Sequence, residues 1–186
     1  MKKIVFVLSL NFIFFQSFSQ SISVEKSVFA VQTGFLGIWV HNESRLSDDF
    51  ALRTELGLDA GILSDGPNDF GFAFVAAITL EPRWYYNLKR RVSKNKRIDK
   101  NTGNFASIKT TYHPDWFVIH DDNNINFVGD LSIIPTYGIR RHIGKHFNYE
   151  AGFGIGYVRY FKKDKVILFD ESDVAVNLHL RIGYTF

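Results

Sequence analysis

Arg53, Glu55 and Asp59, Glu81 and Arg83, Asp130, Arg140, Glu150, and His179 and Arg181 all stand on the polar side of a two-residue alternation. In an extended chain, every second side chain points the same way, so these acids and bases collect on one face. Three chemistries suit such a face. Acids and bases can pair and plug an interior, line a narrow pore, or form a carboxylate site. Enclosed charges must be matched, because one left without its partner is strongly destabilising. An eight-stranded interior is also just wide enough for side chains to fill. The ion-paired plug is therefore the preferred reading, with the pore or carboxylate site as the alternative.

The other candidates are weaker. There is no Cys, which removes disulfides, thiolate metal sites and cysteine nucleophiles. His113, Asp115, His120, Asp121 and Asp122 offer transition-metal donors, but nothing in their spacing fixes a geometry, so a solvated loop is preferred. Acids at 65–69, 113–128 and 162–173 match no calcium-loop spacing. His142 and His146 would share a helical face, yet here they straddle a strand turn. Asp48–Asp49 has no Asp-His to complete a protease-like set. The absence of any His-x-Ser argues against the small lipid A deacylase barrels. No catalytic residue, metal ligand or cofactor is assigned, and the protein is not expected to be an enzyme. Seven bases in 89–100 (Lys89, Arg90, Arg91, Lys94, Lys96, Arg97, Lys100) would suit a polyanion or protein partner. A solvated loop is the simpler account.

The elements that carry these residues read as strands. Alternation runs through 50–63, 70–88, 130–143, 147–161 and 174–186. In the first, Phe50, Leu52, Thr54, Leu56, Leu58, Ala60 and Ile62 oppose Ala51, Arg53, Glu55, Gly57, Asp59 and Gly61. The segment 29–40 reads as one strand apolar on both faces, and 104–112 as a weaker strand with Lys109 on its polar side. That gives seven strands. An eighth is sought at 21–28 or 167–169. The remaining segments, among them 41–49, 89–103 and 113–128, read as connections.

Composition narrows the setting. Residues 1–19 read as a secretory signal: Lys2 and Lys3 precede an apolar run from Ile4 to Phe15, and Ser17 and Ser19 are small residues before a cut at Gln20. Residues 20–186 then form one domain. Without Lys2 and Lys3 the formal charge falls from +3 to +1, which excludes a generic nucleic-acid binder. The same alternation would suit a secreted soluble β-sandwich. Against that, the polar faces are rich in Gly, Arg, Glu and Asp but hold a single lysine, Lys109, where a solvated face would use lysine freely. Trp39, Trp84, Tyr86, Tyr149 and Tyr157 fall near strand ends, as a membrane-interface belt requires.

A strand that alternates through Leu178, Leu180, Ile182 and Tyr184 to Phe186 resembles the assembly signal of outer-membrane β-barrels, with Tyr184 and Phe186 as its key residues. Together with the stretches LEPRWYYNLKRR (80–91), YHPDWF (112–117), IIPTYGIRRHIGKHFNYEAGFGIGY (133–157) and NLHLRIGYTF (177–186), the chain is similar to small barrels of the outer-membrane protein A and X type. It resembles an uncharacterised bacterial group of that superfamily. The resemblance implies an all-β chain: a transmembrane, antiparallel, up-and-down barrel of eight strands in the outer membrane. It implies contact with membrane lipids and with the barrel-assembly machinery through the last strand. It brings no activity and no site residues. A structural or surface-interaction role follows as the expectation, with a narrow pore or a lipid-modifying enzyme as alternatives.

Overall fold

The computed structural model describes residues 22–64, 70–120, 127–161 and 171–186. Its strands are β1 (Ser27–Gly34), β2 (Gly37–Arg45), β3 (Phe50–Ser64), β4 (Phe70–Trp84), β5 (Asn104–His113), β6 (Val118–His120), β7 (Asp130–Ile143), β8 (Phe147–Tyr160) and β9 (Ser172–Thr185). Every pairing is antiparallel. The sheet closes where β9 meets β1, from Ala30↔Thr185 to Gly34↔Arg181, and the Phe186 N–H donates to the Phe29 carbonyl at 3.1 Å.

These elements make eight staves, because β5 and β6 form one. Both lie along β4, β5 from Ile78↔Tyr112 to Trp84↔Ala106 and β6 from Ala73↔His120 to Val75↔Val118. Between them the register shifts by three residues, at the break that contains Pro114. Proline has no N–H for the ladder, so a break there is expected. The result is a closed, eight-stranded antiparallel up-and-down barrel, a closure that leaves no open edge.

The eighth strand is not where the sequence placed it. Residues 29–40 form a hairpin rather than one strand, turning at Phe35–Leu36. Its second arm runs on to Arg45, so most of the presumed connection 41–49 is strand. Residues 22–26 are not strand, and 167–169 lie outside the described residues. The turn went unseen because Phe35 and Leu36 are apolar. The one cue was glycine on either side, and Gly37 does adopt a positive φ of 144°.

The alternation of the longer strands is as read. Arg53, Glu55, Glu81, Arg83, Arg140 and Glu150 are buried, while Leu56, Ile78, Leu80, Phe153, Val176, Leu178 and Ile182 are exposed. The charged face is the inside and the apolar face the outside, the inverse of a water-soluble core.

The end where β1 begins and β9 finishes is closed by its own small core. The connection 85–103 carries a short helix, α1 (Leu88–Val92), and a 3₁₀ turn at Asp99–Asn101. Leu88 packs with Val24, Ala51, Tyr85 and Phe105, flanked by Ile22 and Ile98. Thus 89–103 is not merely the solvated loop read from its charges. Its bases point outward while its apolar residues cap the barrel. Among the bases, Arg97 donates Nε and Nη2 to Asp99, which holds that carboxyl below its usual range, and Nη1 to the Gly144 carbonyl.

Candidate functional site in the barrel lumen

Two glutamates organise the interior. Glu150, on β8, accepts from Arg53 of β3 (3.1 Å), Arg83 of β4 (2.8 Å) and Arg140 of β7 (2.7 Å). Glu43, on β2, faces it and takes Arg83 at 3.1 Å and Arg140 at 2.7 Å. All five residues are essentially sealed from solvent. Outside this centre, Glu55 takes Arg53 and Arg181, and Glu81 takes Arg83 and the Ser107 hydroxyl. Four arginines and four glutamates therefore pair with one another across the lumen. Neighbouring strands present them at matching heights, for example Arg53 opposite Glu81 and Arg140 opposite Glu150.

The network is tied to the small core through Glu43. Its Oε2 accepts from the Tyr85 hydroxyl at 2.9 Å and from Asn101 Nδ2 at 2.8 Å. Asn101 also receives the Glu25 N–H on its Oδ1. Its backbone sits at a φ of 59°, which asparagine tolerates better than most residues. The closed end and the charge network thus share one carboxylate.

Nearer the opposite end, His113 lies between two aspartates, with Nδ1 3.0 Å from Asp130 and Nε2 3.1 Å from Asp59. Asp59 also accepts from the Trp39 indole. His179 stands 3.4 Å from Glu150 and beside Asn177. Every residue of the sequence-derived cluster therefore faces the lumen. Asp59 and Asp130 belong to the His113 bridge rather than to the arginine network.

Three lumenal rings lie on glycines directly opposite them on the next strand: Trp39 on Gly57, Phe105 on Gly138 and His179 on Gly152. A Cβ at any of the three would overlap the ring. Trp39 is further held from its other side by Arg181, whose guanidinium sits 3.7 Å from the ring centroid, and Arg83 stacks on Phe105 at 4.0 Å. Trp39 is thus an inward, buried residue and not part of an interface belt. Gly57→Ala should destabilise the barrel by about 1–3 kcal/mol, since a ring fixed on both faces cannot yield. Urea unfolding of the refolded protein measures this.

The sequence pattern does not reveal Glu43 and His41, because 41–49 reads as a connection, nor Tyr85 and Asn101, which lie in the closing segment. The period-two series Trp39, His41, Glu43 was the available signal. His113 reads as one of the loop donors, yet it turns inward at the end of β5. Asp121 and Asp122 lie outside the described residues, as do the acids at 65, 69, 164 and 170. His142 and His146 do not converge. His142 bonds Thr102 and Thr185 inside the barrel, while His146 stacks on Tyr184.

Rings at the strand ends on the closed side form chains of contact, Phe50–Trp84–Tyr86–Tyr137 and Phe147–Tyr184–Phe186–Phe29. The Tyr86 and Tyr137 hydroxyls are hydrogen-bonded to each other. Comparison with known proteins finds no family model, no curated protein and no solved structure that matches the chain.

Proposed function

We propose that this protein is an integral barrel of the bacterial outer membrane, with a structural or surface-interaction role and no catalytic one. One observation carries the reading: the barrel is inside out. Large apolar residues cover the exterior of every long strand, with Leu56, Leu178 and Val176 each about three-fifths exposed or more, while Arg53, Glu150 and Arg140 are sealed within. Water disfavours such an exterior, and hydrocarbon favours it. A soluble β-sandwich would bury the other face. Strands of 14 or 15 residues exceed the about 9–11 that a tilted crossing needs. The aromatic chains at the closed end suit a membrane boundary. The resemblance to barrels of the outer-membrane protein A and X type points the same way.

In this placement the closed end faces the periplasm, after removal of residues 1–19 as a signal. The exposed Lys89, Arg90, Lys94 and Lys96 would then meet a periplasmic polyanion or protein, and Tyr184 and Phe186 would engage the assembly machinery. The pore alternative is disfavoured by the arginine–glutamate network and the core at Leu88, which stand across the path. The test is reconstitution into planar bilayers: the refolded protein should insert without conducting. Steady single-channel steps would favour the pore.

A further inference from the structure

The half of the lumen away from the closed end is built differently from the charge network. Among the described residues it leaves a cavity bordered by Trp39, Lys109, His113, Ile134, Asn177 and His179. Small residues form part of its wall, among them Ser132, Gly138, Gly152 and Ala175. Lys109 stands at the floor, where the network begins. It is enclosed by the barrel, and part of its side chain faces the cavity. The carboxylates around it are engaged elsewhere. Glu55 is paired with Arg53 and Arg181, Glu81 with Arg83, and Asp59 and Asp130 with His113. Among the described residues, no carboxylate lies within ion-pair distance of the Lys109 ammonium, and no hydrogen-bond acceptor is paired with it. His179 beside it is engaged as well, with Nε2 3.4 Å from Glu150.

We infer that the cavity binds a small monocarboxylate, with Lys109 as its counter-ion. An ammonium that faces the cavity with three donors and no protein acceptor is answered only by water until an anion arrives. Asp59 and Asp130 share the cavity, and their charge disfavours a dianion such as phosphate. Trp39 and Ile134 supply apolar wall for a short hydrocarbon or ring attached to the carboxylate. Among the described residues Lys109 is also the one lysine in a strand, set beside a network whose glutamates are held by arginines. Lysine suits a single anionic oxygen, whereas the planar guanidinium suits the fixed forks of the network.

The inference needs only the folded barrel, whether or not it sits in a membrane. A protein that binds the anion but does not fractionate with membranes would keep this inference and lose the proposed function, and the reverse result would do the opposite. The test is calorimetric titration of the refolded protein in detergent micelles with sodium benzoate and, separately, inorganic phosphate. Benzoate should bind saturably, about tenfold or more weaker after Lys109→Met, and unchanged after Lys145→Met, which removes an exposed lysine. Should Lys109→Met fail to fold, the nitrogen resonance of the Lys109 ammonium in the wild type replaces it and should shift on adding benzoate. Unsaturable benzoate, equal affinity in a folded Lys109→Met, an unmoved Lys109 resonance, or phosphate binding as tightly as benzoate would each overturn the inference.

Discussion

Glu150→Ala lowers the unfolding free energy by about 3–5 kcal/mol, the largest loss expected of any single lumenal substitution. The carboxylate holds Arg53, Arg83 and Arg140 at once. Its removal leaves three enclosed guanidinium groups competing for Glu43, Glu55 and Glu81. Arg140 keeps Glu43, and Arg83 keeps Glu43 and Glu81. Arg53 keeps Glu55 and a longer contact of 3.9 Å to Glu43. Glu81→Ala should cost less, because Arg83 retains both central glutamates and the Ser107 hydroxyl keeps the Thr136 carbonyl at 3.4 Å. Lys94→Ala, at an exposed site, should change stability by under about 0.5 kcal/mol. Urea titration of the refolded barrel, read by migration on unboiled gels, ranks the three. Equal small losses for all would mean that the charged face is open to water.

The second large effect concerns closure. Deleting Phe186, or changing it to Asp, should abolish assembly. β9 is the stave that closes onto β1 through the short pairing from Ala30 to Gly34, extended by the Phe186 N–H. The Phe186 ring also packs on Phe29 and Tyr184. An unclosed edge in hydrocarbon leaves backbone groups unpaired at several kcal/mol each. Thr185→Ser is the control. Its hydroxyl receives Asn148 Nδ2 at 2.8 Å and meets His142, and serine keeps that hydroxyl. Heat-modifiable migration should be lost in the Phe186 variants and kept in Thr185→Ser. A Phe186 deletion that still shifts on heating like the wild type would contradict the closure argument.

Much of this architecture could be read before any coordinates, because a strand's period of two needs no long-range information. Among the described side chains, the faces of β3, β4, β7, β8 and β9 follow the alternation, and so do the ten titratable residues that point inward. Two features escaped for definite reasons. The Phe35–Leu36 turn carries none of the Asn, Asp or Pro chemistry that marks a turn, so two strands read as one and Glu43 was lost with the second arm. The closed end depends on Val24, Leu88 and Phe105, far apart in sequence, and the charge run between Lys89 and Lys100 masks the apolar residues beside it. Which acid pairs with which base was also beyond the pattern. Arg53 faces Glu81 across the ladder, yet it bonds Glu55 on its own strand and Glu150 across the lumen.

The account turns on whether hydrocarbon covers the apolar exterior. Separated membranes of cells making the full-length chain, washed with alkaline carbonate, put this to the test. Peripheral and soluble proteins leave under that treatment, while integral barrels stay. The protein should remain in the outer-membrane pellet and shift between boiled and unboiled gels. Recovery of the folded protein in the carbonate supernatant would contradict the central claim.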